Sequence, residues 1–398
     1  MKILVINCGS SSLKYQLFNM ETEEVLAKGL VERIGIEGSR LEQEAGEDQF
    51  ENVTAIPNHD TAVRLVFEAL TGEHGVIADM NEIDAVGHRV VHGGEKITKS
   101  TLVDDQVLDA IREYTPFSPL HNPANLQGIE ACRKALGNKP QVAVFDTAYH
   151  QTMPAKNYVY ALPYELYEKY GIRRYGFHGT SHNFIAHRAA ELLGKPIDEL
   201  NIISCHLGNG SSITAVQNGK CYLTSMGLTP LAGVPMGTRS GDIDPAIIPF
   251  LQKQLGKSAD EIDQILNKQS GVLGISGKSS DFRDLNEGAE AGDERCRLAL
   301  DIFHSRVRET IGAYAVALGR VDAITFTGGI GENGAEDREA ICKGLEIIGA
   351  EFDPEKNAHR KPKEKCISKD GSKVQIWAIP TNEELMIARD TKRLAETK

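Results

Sequence analysis

Apolar and polar positions alternate most regularly at the start of the chain. Lys2 to Ile6 is a short run rich in Ile and Val, it breaks at Asn7-Cys8-Gly9-Ser10-Ser11-Ser12, and alternation resumes at Leu13-Lys14-Tyr15-Gln16-Leu17. This pattern predicts a buried strand, a turn of small residues and a second strand. Asn201 to Ala215 repeats the device: apolar Asn201 to Cys205, a turn at His206-Leu207-Gly208-Asn209-Gly210, then a resumed strand. Two such hairpins about 200 residues apart predict a duplicated fold, with each half presenting its turn to one shared cleft.

Between and beyond the hairpins the periodicities alternate. Val25 to Ile34 reads as strand, Gly35 to Glu51 as a polar hairpin or loop, Thr61 to Leu70 as helix, and Ile83 to Gly87 as an apolar segment running into His88-Arg89-Val90-Val91-His92-Gly93-Gly94-Glu95. A Pro-punctuated loop, Pro116 to Pro123, leads into a helix from Ala124 to Leu136, and the strand Gln141 to Phe145 delivers Asp146 at its end. Met153 to Tyr175, rich in Tyr and Pro, reads as a linker opening a second domain. Asp301 to Leu318 is an amphipathic helix ending at Gly319, followed by the strand Ala323 to Thr327, a glycine turn over 328–334, and a helix from Ala335 to Ile348. Val374 to Ile379 is a late strand before a closing helix from Leu385. The expectation is an α/β chain of two domains, 1–150 and 151–384, with residues 385–398 packing back on the first and ligands at the carboxyl ends of strands.

At 398 residues the chain exceeds one ordinary core. Its net charge of −12, without a Lys/Arg-rich run, argues against a nucleic-acid partner, although a few local arginines can still hold a small anion. Seven scattered cysteines without CxxC pairs, and a start directly in a strand rather than a signal sequence, fit a reducing cytoplasm. No apolar run approaches the ~18 to 20 residues of a membrane span, so no membrane partner is expected.

The Asn7–Ser12 turn carries the first candidate chemistry. Small residues let backbone N–H groups and the hydroxyls of Ser10 and Ser12 approach an anion, Lys14 adds charge, and Asn7 offers a neutral oxygen of the kind that touches Mg²⁺. An ordinary serine-rich hairpin remains the alternative at this point. Gly271 to Ser280 resembles a P-loop, but Gly271 lies one residue too far from Gly277-Lys278-Ser279. Gly329-Ile330-Gly331-Glu332-Asn333-Gly334 does satisfy GxGxxG, with Glu351 or Asp353 near the ribose-binding offset, which keeps a nicotinamide enzyme in view. Against it, only about 70 residues follow, and the Asn7/Lys14 hairpin would have no task. His88/His92 and His178/His182 are four apart, yet lie among glycines without an HExxH acid. Arg89 and Arg239 occupy open, Gly-rich backbone where a guanidinium can fork onto carboxylate or phosphate oxygens. With Asp146 and His178 they fit phosphoryl transfer, which asks mainly for in-line positioning and positive charge. Val91, Leu120, Phe177 and Pro230 interleave with these clusters as walls of a small apolar pocket or as plain core.

In chain order, NCGSSSLKY, HRVVHGGE, FDTAYHQTMP, YGFHGTSH, HLGNGSS, MGTRSGDIDP, FTGGIGEN and TNEE span the whole sequence. Together they resemble the acetokinase family of the acetate and sugar kinase/Hsp70/actin superfamily. The resemblance implies a duplicated actin-like ATPase fold with its active-site cleft between domains, a cytoplasmic homodimer, and Mg²⁺-dependent, reversible, direct in-line transfer of the ATP γ-phosphoryl to acetate, giving acetyl phosphate and ADP. Mn²⁺ is expected to stand in for Mg²⁺. Carried over by motif, Asn7 and Glu383 would bind the metal, and Ser10, Ser12 and Lys14 would face the phosphates. Arg89 would hold the acetate carboxylate, Arg239 and His178 would stabilise the moving phosphoryl, and Asp146 would act as acid/base or organiser. His206, Leu207, Gly208, Asn209 and Gly210, with Asp281, Phe282 and Arg283 and with Gly329, Ile330, Gly331, Glu332 and Asn333, would form the nucleotide site. A propionate or short-chain acyl kinase of the same family and a non-transferring actin-like ATPase are the alternatives.

Such chemistry needs no strong base, because a carboxylate nucleophile with a pKa of about 4 is ionised at neutral pH. Asp146 is therefore expected to orient an arginine. Acid selectivity is expected to be modest, one methylene being worth about 1–3 kcal/mol. Relatives that prefer propionate tend to carry alanine where this chain has Val91, which favours acetate here.

Overall fold

The opening alternation builds the centre of a sheet. In the computed structural model, which describes residues 1–359 and 363–397, Lys2–Cys8 (β1) and Ser12–Asn19 (β2) form an antiparallel hairpin in which Asn7 pairs with Lys14. Glu24–Glu32 (β3), Arg40–Ala45 (β4) and Asp48–Val53 (β5) extend it on one side. Ala85–Val90 (β6), Thr101–Leu102 (β7) and Gln141–Phe145 (β8) extend it on the other, giving the order β5-β4-β3-β2-β1-β6-β8-β7. Because β1, β6 and β8 are parallel, Ile6 beside His88 and Val90 beside Phe145, their carboxyl ends emerge on one edge with Asn7, Arg89 and Asp146.

Both faces of this sheet are covered, as the period of two requires. Leu4 and Ile6 pack with Ala62, Val63, Val66 and Leu70 of the helix His59–Thr71, whereas Ile3 and Val5 pack with Ile387 and Ala388 of the closing helix Glu383–Ala395. A side chain of this kind contributes about 1.5–3 kcal/mol when fully buried. Gly87 permits the close approach: a Cβ there would lie 2.4 Å from Thr391 Oγ1 and 2.6 Å from Ile387 Cγ2.

The second hairpin founds a second sheet. Asn201–Leu207 (β9), Ser211–Gln217 (β10), Lys220–Thr224 (β11), Ala323–Thr327 (β12), Lys365–Cys366 (β13) and Gln375–Ala378 (β14) are ordered β11-β10-β9-β12-β14-β13. Two antiparallel pairings, two parallel and one antiparallel run across it, the same sequence as β3-β2-β1-β6-β8-β7. The duplication read from two short turns thus extends to six strands per sheet. The β4–β5 hairpin is an addition to the first. Odd positions Ile203, Cys205, Leu207 and Ile213 join Ile324 and Phe326 in an apolar core against the long helix Glu294–Leu318.

The chain divides into two compact units, Met1–Gln151 with Asn382–Lys398, and Thr152–Thr381. Lys398, in the expected closing segment, lies outside the described residues. Three elements differ from expectation. Met153 to Tyr175 is folded rather than a linker: it contains helices Ala155–Tyr158 and Tyr164–Tyr170, and Arg173 stacks 3.7 Å from the Tyr158 ring centre. The helix expected over 335–348 stops at Cys342, because Gly344 turns to φ 89° before a short 3-10 turn, Leu345–Ile348. The glycine turn after β12 is itself helical over Gly328–Asn333.

Candidate active-site residues in the two units

In the first unit the strand ends converge on Arg89. Its Nε and Nη2 donate to Asp146 Oδ1 and Oδ2 at 3.0 and 2.7 Å, a two-pronged clamp on an aspartate whose side chain is only 2% exposed. Glu383 Oε2 lies 3.9 Å from Arg89 Nε. Asp146 first, then Glu383 and Glu384, hold the guanidinium firmly in its charged form. The clamp occupies one edge of the fork and leaves Nη1 without a hydrogen bond among the described residues, aimed by a rigid partner rather than by a flexible stem.

Buried asparagines of the helix Asn122–Leu136 set the backbone around this cluster. Asn125 accepts from Val91 N at 3.1 Å and donates to Cys8 O at 2.9 Å, so it ties the end of β6 to the end of β1. Asn122 binds both His92 N and His92 O. His59 adds a bond at 2.8 Å to Gly9 O in the small-residue turn, where Gly9 N also donates to Ser12 O at 2.8 Å. These three residues escaped the sequence reading. The available signal was the spacing of Asn122 and Asn125, which puts both amides on one helical face. Within the turn Ser10 and Lys14 are exposed and Ser12 is partly exposed, so their polar groups remain open to a ligand. Val91 is buried, whereas Leu120 is 62% exposed.

The fit of a divalent cation is tested by Glu383. Burial, with Asp146 and Glu384 nearby, outweighs Arg89 and Lys14 and raises its carboxyl from near 4.5 to about 7. An anion so poorly compensated gains from a cation, and the Asn7 side chain, at the end of neighbouring β1, has no hydrogen bond among the described residues. Among those residues there is no group of three or more His, Cys, Asp or Glu arranged to hold a metal. One amide oxygen and one carboxylate suit Mg²⁺, which keeps most of its ligands as water and phosphate oxygen. His88 is not a ligand candidate: it is buried against Gln141 Oε1 at 2.7 Å and driven down to about 4.

The second unit gathers the other candidates at the carboxyl ends of β9 and β12. His178 occupies a left-handed conformation, φ 56°, at the start of the helix Gly179–Leu193, a strained geometry for a residue with a Cβ. Its ring stacks on His206 with centres 4.2 Å apart. A Cβ on Gly210 would be 3.5 Å from both Arg239 Nη1 and His178 Cε1, so imidazole, guanidinium and glycine turn meet. Arg239 donates only to Pro230 O at 3.4 Å and Met236 Sδ at 3.7 Å, and no acidic side chain among the described residues pairs with it. Burial lowers its hold on its proton, which marks a cation withdrawn from water without compensation. Its loop is anchored on Gly271, φ 62°, where a Cβ would lie 2.1 Å from Met236 O. The glycine of the failed P-loop therefore packs the arginine loop.

The glycine turns adjoin: a Cβ on Gly208 would be 3.8 Å from Gly329 N. Asn209, Gly329 and Asn333 are exposed and Ile330 is partly exposed. Glu332 turns inward, its Oε1 accepting from Gly328 N at 3.0 Å and Thr381 N at 3.1 Å, so it braces the turn. Gly331 is buried, with its carbonyl accepting from Arg338 Nη1 at 2.8 Å. Asp281 caps the helix Phe282–Glu290 and binds Arg283. Leu207 and Phe282 lie in the apolar core and have only backbone to offer a ligand; Phe177 is buried too.

The acetokinase family profile matches residues 2–389. Acetate kinases of Treponema denticola and Finegoldia magna are 60% and 59% identical to this chain, each covering 100% of both sequences. The crystal structure of Porphyromonas gingivalis acetate kinase superposes with a TM-score of 0.95 at 47% identity, and that of a Francisella tularensis propionate kinase with 0.92 at 43%, each covering 99% of both chains.

Proposed function

The chain belongs to the acetokinase family, and from that premise we propose that it catalyses Mg²⁺-dependent, reversible transfer of the ATP γ-phosphoryl group to acetate, giving acetyl phosphate and ADP. The observation that carries the reading is Arg239: a partly buried guanidinium beside His178, with no acidic partner among the described residues, has the chemistry to receive a phosphoryl group. An acetate oxygen attacks the γ-phosphorus as the bond to the ADP oxygen breaks, and no proton need move. Arg89, aimed by Asp146, holds the carboxylate through its free edge. Arg239 and His178 draw charge from the equatorial oxygens as it builds, which lowers the barrier only where those contacts strengthen in the transition state. Ser10, Ser12 and Lys14 are assigned to the phosphates, and the turns at Gly208–Gly210 and Gly329–Asn333 to the nucleotide. Asn7 and Glu383 would hold Mg²⁺, whose charge would offset that of the phosphates; Mn²⁺ has the same oxygen preference.

A cytoplasmic enzyme is the accompanying proposal, supported by seven free cysteines. No helix among the described residues is long and apolar enough to cross a membrane. Its product, an activated acetyl group, would suit reactions that make acetyl thioesters. A homodimer is proposed as well: Ile247, Ile248, Phe250 and Leu255 on the helix Ile247–Leu255 are exposed, an apolar face for a second copy to cover. A propionate-directed reading rests on the Francisella tularensis protein; Val91, larger than alanine, argues for acetate.

The test is an assay with ATP, Mg²⁺ and each of acetate, propionate, butyrate or no acid, trapping the acyl phosphate as hydroxamate. Acetate-dependent hydroxamate supports the reading. ATP loss without hydroxamate would replace it with a plain ATPase.

A further inference from the structure

The second unit holds a cavity of about 1000 Å³ that the transfer step does not use. The helix Glu294–Leu318, the failed P-loop segment and both ends of the loop that carries Arg239 enclose it, and its walls include none of the residues assigned to acetate, phosphate, nucleotide or metal. Gly233 and Asp242 close that loop on itself. Asp242 N donates to Gly233 O and Gly233 N donates to Asp242 Oδ1, each at 2.8 Å. A molecule in the cavity therefore touches the base of the loop that brings Arg239 to Gly210.

The buried wall carries two polar groups with bonding capacity to spare. Tyr314 is only 7% exposed, yet its hydroxyl has no hydrogen bond among the described residues. Burial raises its pKa and outweighs the nearby Arg174, so the hydroxyl keeps its proton at neutral pH and can donate. Arg174 is aimed by one nitrogen: Nη1 donates to the carbonyls of Thr224, Ser225 and Met226 at 2.8, 2.9 and 3.2 Å. Its Nε and Nη2 have no hydrogen bond, and no acidic side chain pairs with it, among the described residues. That open edge is the two-donor face that fits a carboxylate. A donor withdrawn from water without a partner is costly, and a ligand would supply the partner.

The exposed rim has the opposite sign. Arg306 and Glu309 neutralise each other at 2.6 Å, but Asp242 and Asp244 form no ion pair among the described residues. Each spends one oxygen on a backbone N–H, of Gly233 and of Ala246, and leaves the other open. Arg174 and Asp242 both act on Tyr314 and yet do not pair with each other. Opposite charges held apart on one cavity match a ligand that carries both. Ile243, Ile275 and Ile302 supply apolar wall for a hydrocarbon side chain.

We propose that this cavity binds a small zwitterion, an α-amino acid with an apolar side chain, its carboxylate on Arg174 and Tyr314 and its ammonium group toward Asp242 and Asp244. The unpaired acids at the rim discriminate against ligands with two or more carboxylates.

The test is titration calorimetry on the full-length protein with four probes. L-Leucine has both charges, leucine amide lacks the carboxylate, isocaproate lacks the ammonium group, and succinate carries two carboxylates. Leucine should bind, and each of the others about tenfold or more less tightly. Tyr314→Phe removes only a hydroxyl that has no partner in the protein. It should therefore fold as the wild type does, keep the kcat and KM of the hydroxamate assay, and bind leucine about tenfold less tightly. Asp242→Asn keeps the oxygen that accepts from Gly233 N, so it should weaken leucine and leave isocaproate unchanged. Absence of leucine binding, equal leucine affinity in Tyr314→Phe and wild type, or tighter binding of succinate than of leucine would each overturn the proposal.

Discussion

Replacing Arg239 by methionine should separate what the residue does for the reaction from what it costs the fold. The guanidinium has two weak contacts, to Pro230 O at 3.4 Å and Met236 Sδ at 3.7 Å, both at the outer limit of useful geometry. Together they return no more than about 1 kcal/mol. Against this stands the partial burial of a charge with no acidic partner, a penalty of about 2–4 kcal/mol when burial is incomplete. A methionine keeps most of the stem packing and removes the charge, so the folded state should gain about 1–3 kcal/mol. For a unit of this size that raises its melting temperature by about 2–4 °C per kcal/mol. Loss of one preorganised donor to the transferring group, however, costs about 2.7–4 kcal/mol of transition-state stabilisation, or roughly 100- to 1000-fold in kcat. The acetate KM should change less than about threefold, because the carboxylate is assigned to Arg89. Hydroxamate kinetics and calorimetry on the same preparation measure both halves. A variant that is less active and less stable would show Arg239 to be structural, and a rise confined to KM would move it to ground-state binding; either result refutes the argument.

Asp146→Asn exchanges a buried carboxylate that accepts two hydrogen bonds from Arg89 for an amide that can accept at only one atom, leaving a partly buried cation half-paired. It should lower stability by about 3–5 kcal/mol and raise the acetate KM, and equal melting curves for variant and wild type would contradict the clamp. Val91→Ala should improve kcat/KM for propionate relative to acetate by up to about tenfold; an unchanged ratio would take Val91 out of the pocket. Glu383 titrates near 7 when folded and near 4.5 when unfolded, so between those values the folded chain holds a proton that the unfolded chain has lost. Its contribution to the stability of the metal-free protein therefore falls as pH rises through that window. The difference between wild type and Glu383→Gln, measured by denaturation at several pH values, should show this slope, and a flat difference would remove it. Phe250→Glu should shift the sedimentation coefficient from dimer to monomer if the exposed helix Ile247–Leu255 is the covered face, and an unchanged dimer would place the interface elsewhere.

The units differ in how far the sequence revealed them, and the difference is physical. Short apolar runs ended by small residues marked β1 and β9, because a turn that admits an anion must lack bulk, and the repeated turn was enough to imply a duplicated sheet. Local signals of that kind fail where the decisive contact is distant in sequence. The chemistry led to the expectation that Asp146 orients an arginine, and it does, but nothing near it in the sequence says that the arginine is Arg89, and nothing near Gly271 announces that its missing side chain makes room for the Arg239 loop. Met153 to Tyr175 looked like a linker because its tyrosines lack periodicity, yet Arg173 and Tyr158 fold it by stacking, which no window of hydropathy detects. The polar layer beneath the helix Gly179–Leu193 is the instructive middle case. Asn201-Ile202-Ile203-Ser204-Cys205-His206-Leu207 does alternate, but an alternation of apolar with Ser and His normally means one face in water. Here the polar face is buried under a helix that brings its own serine and histidines. Polar residues on a buried sheet face draw their partners from elsewhere in the chain, and no local run of sequence shows that Ser204 and Ser212 will meet His182 and His178.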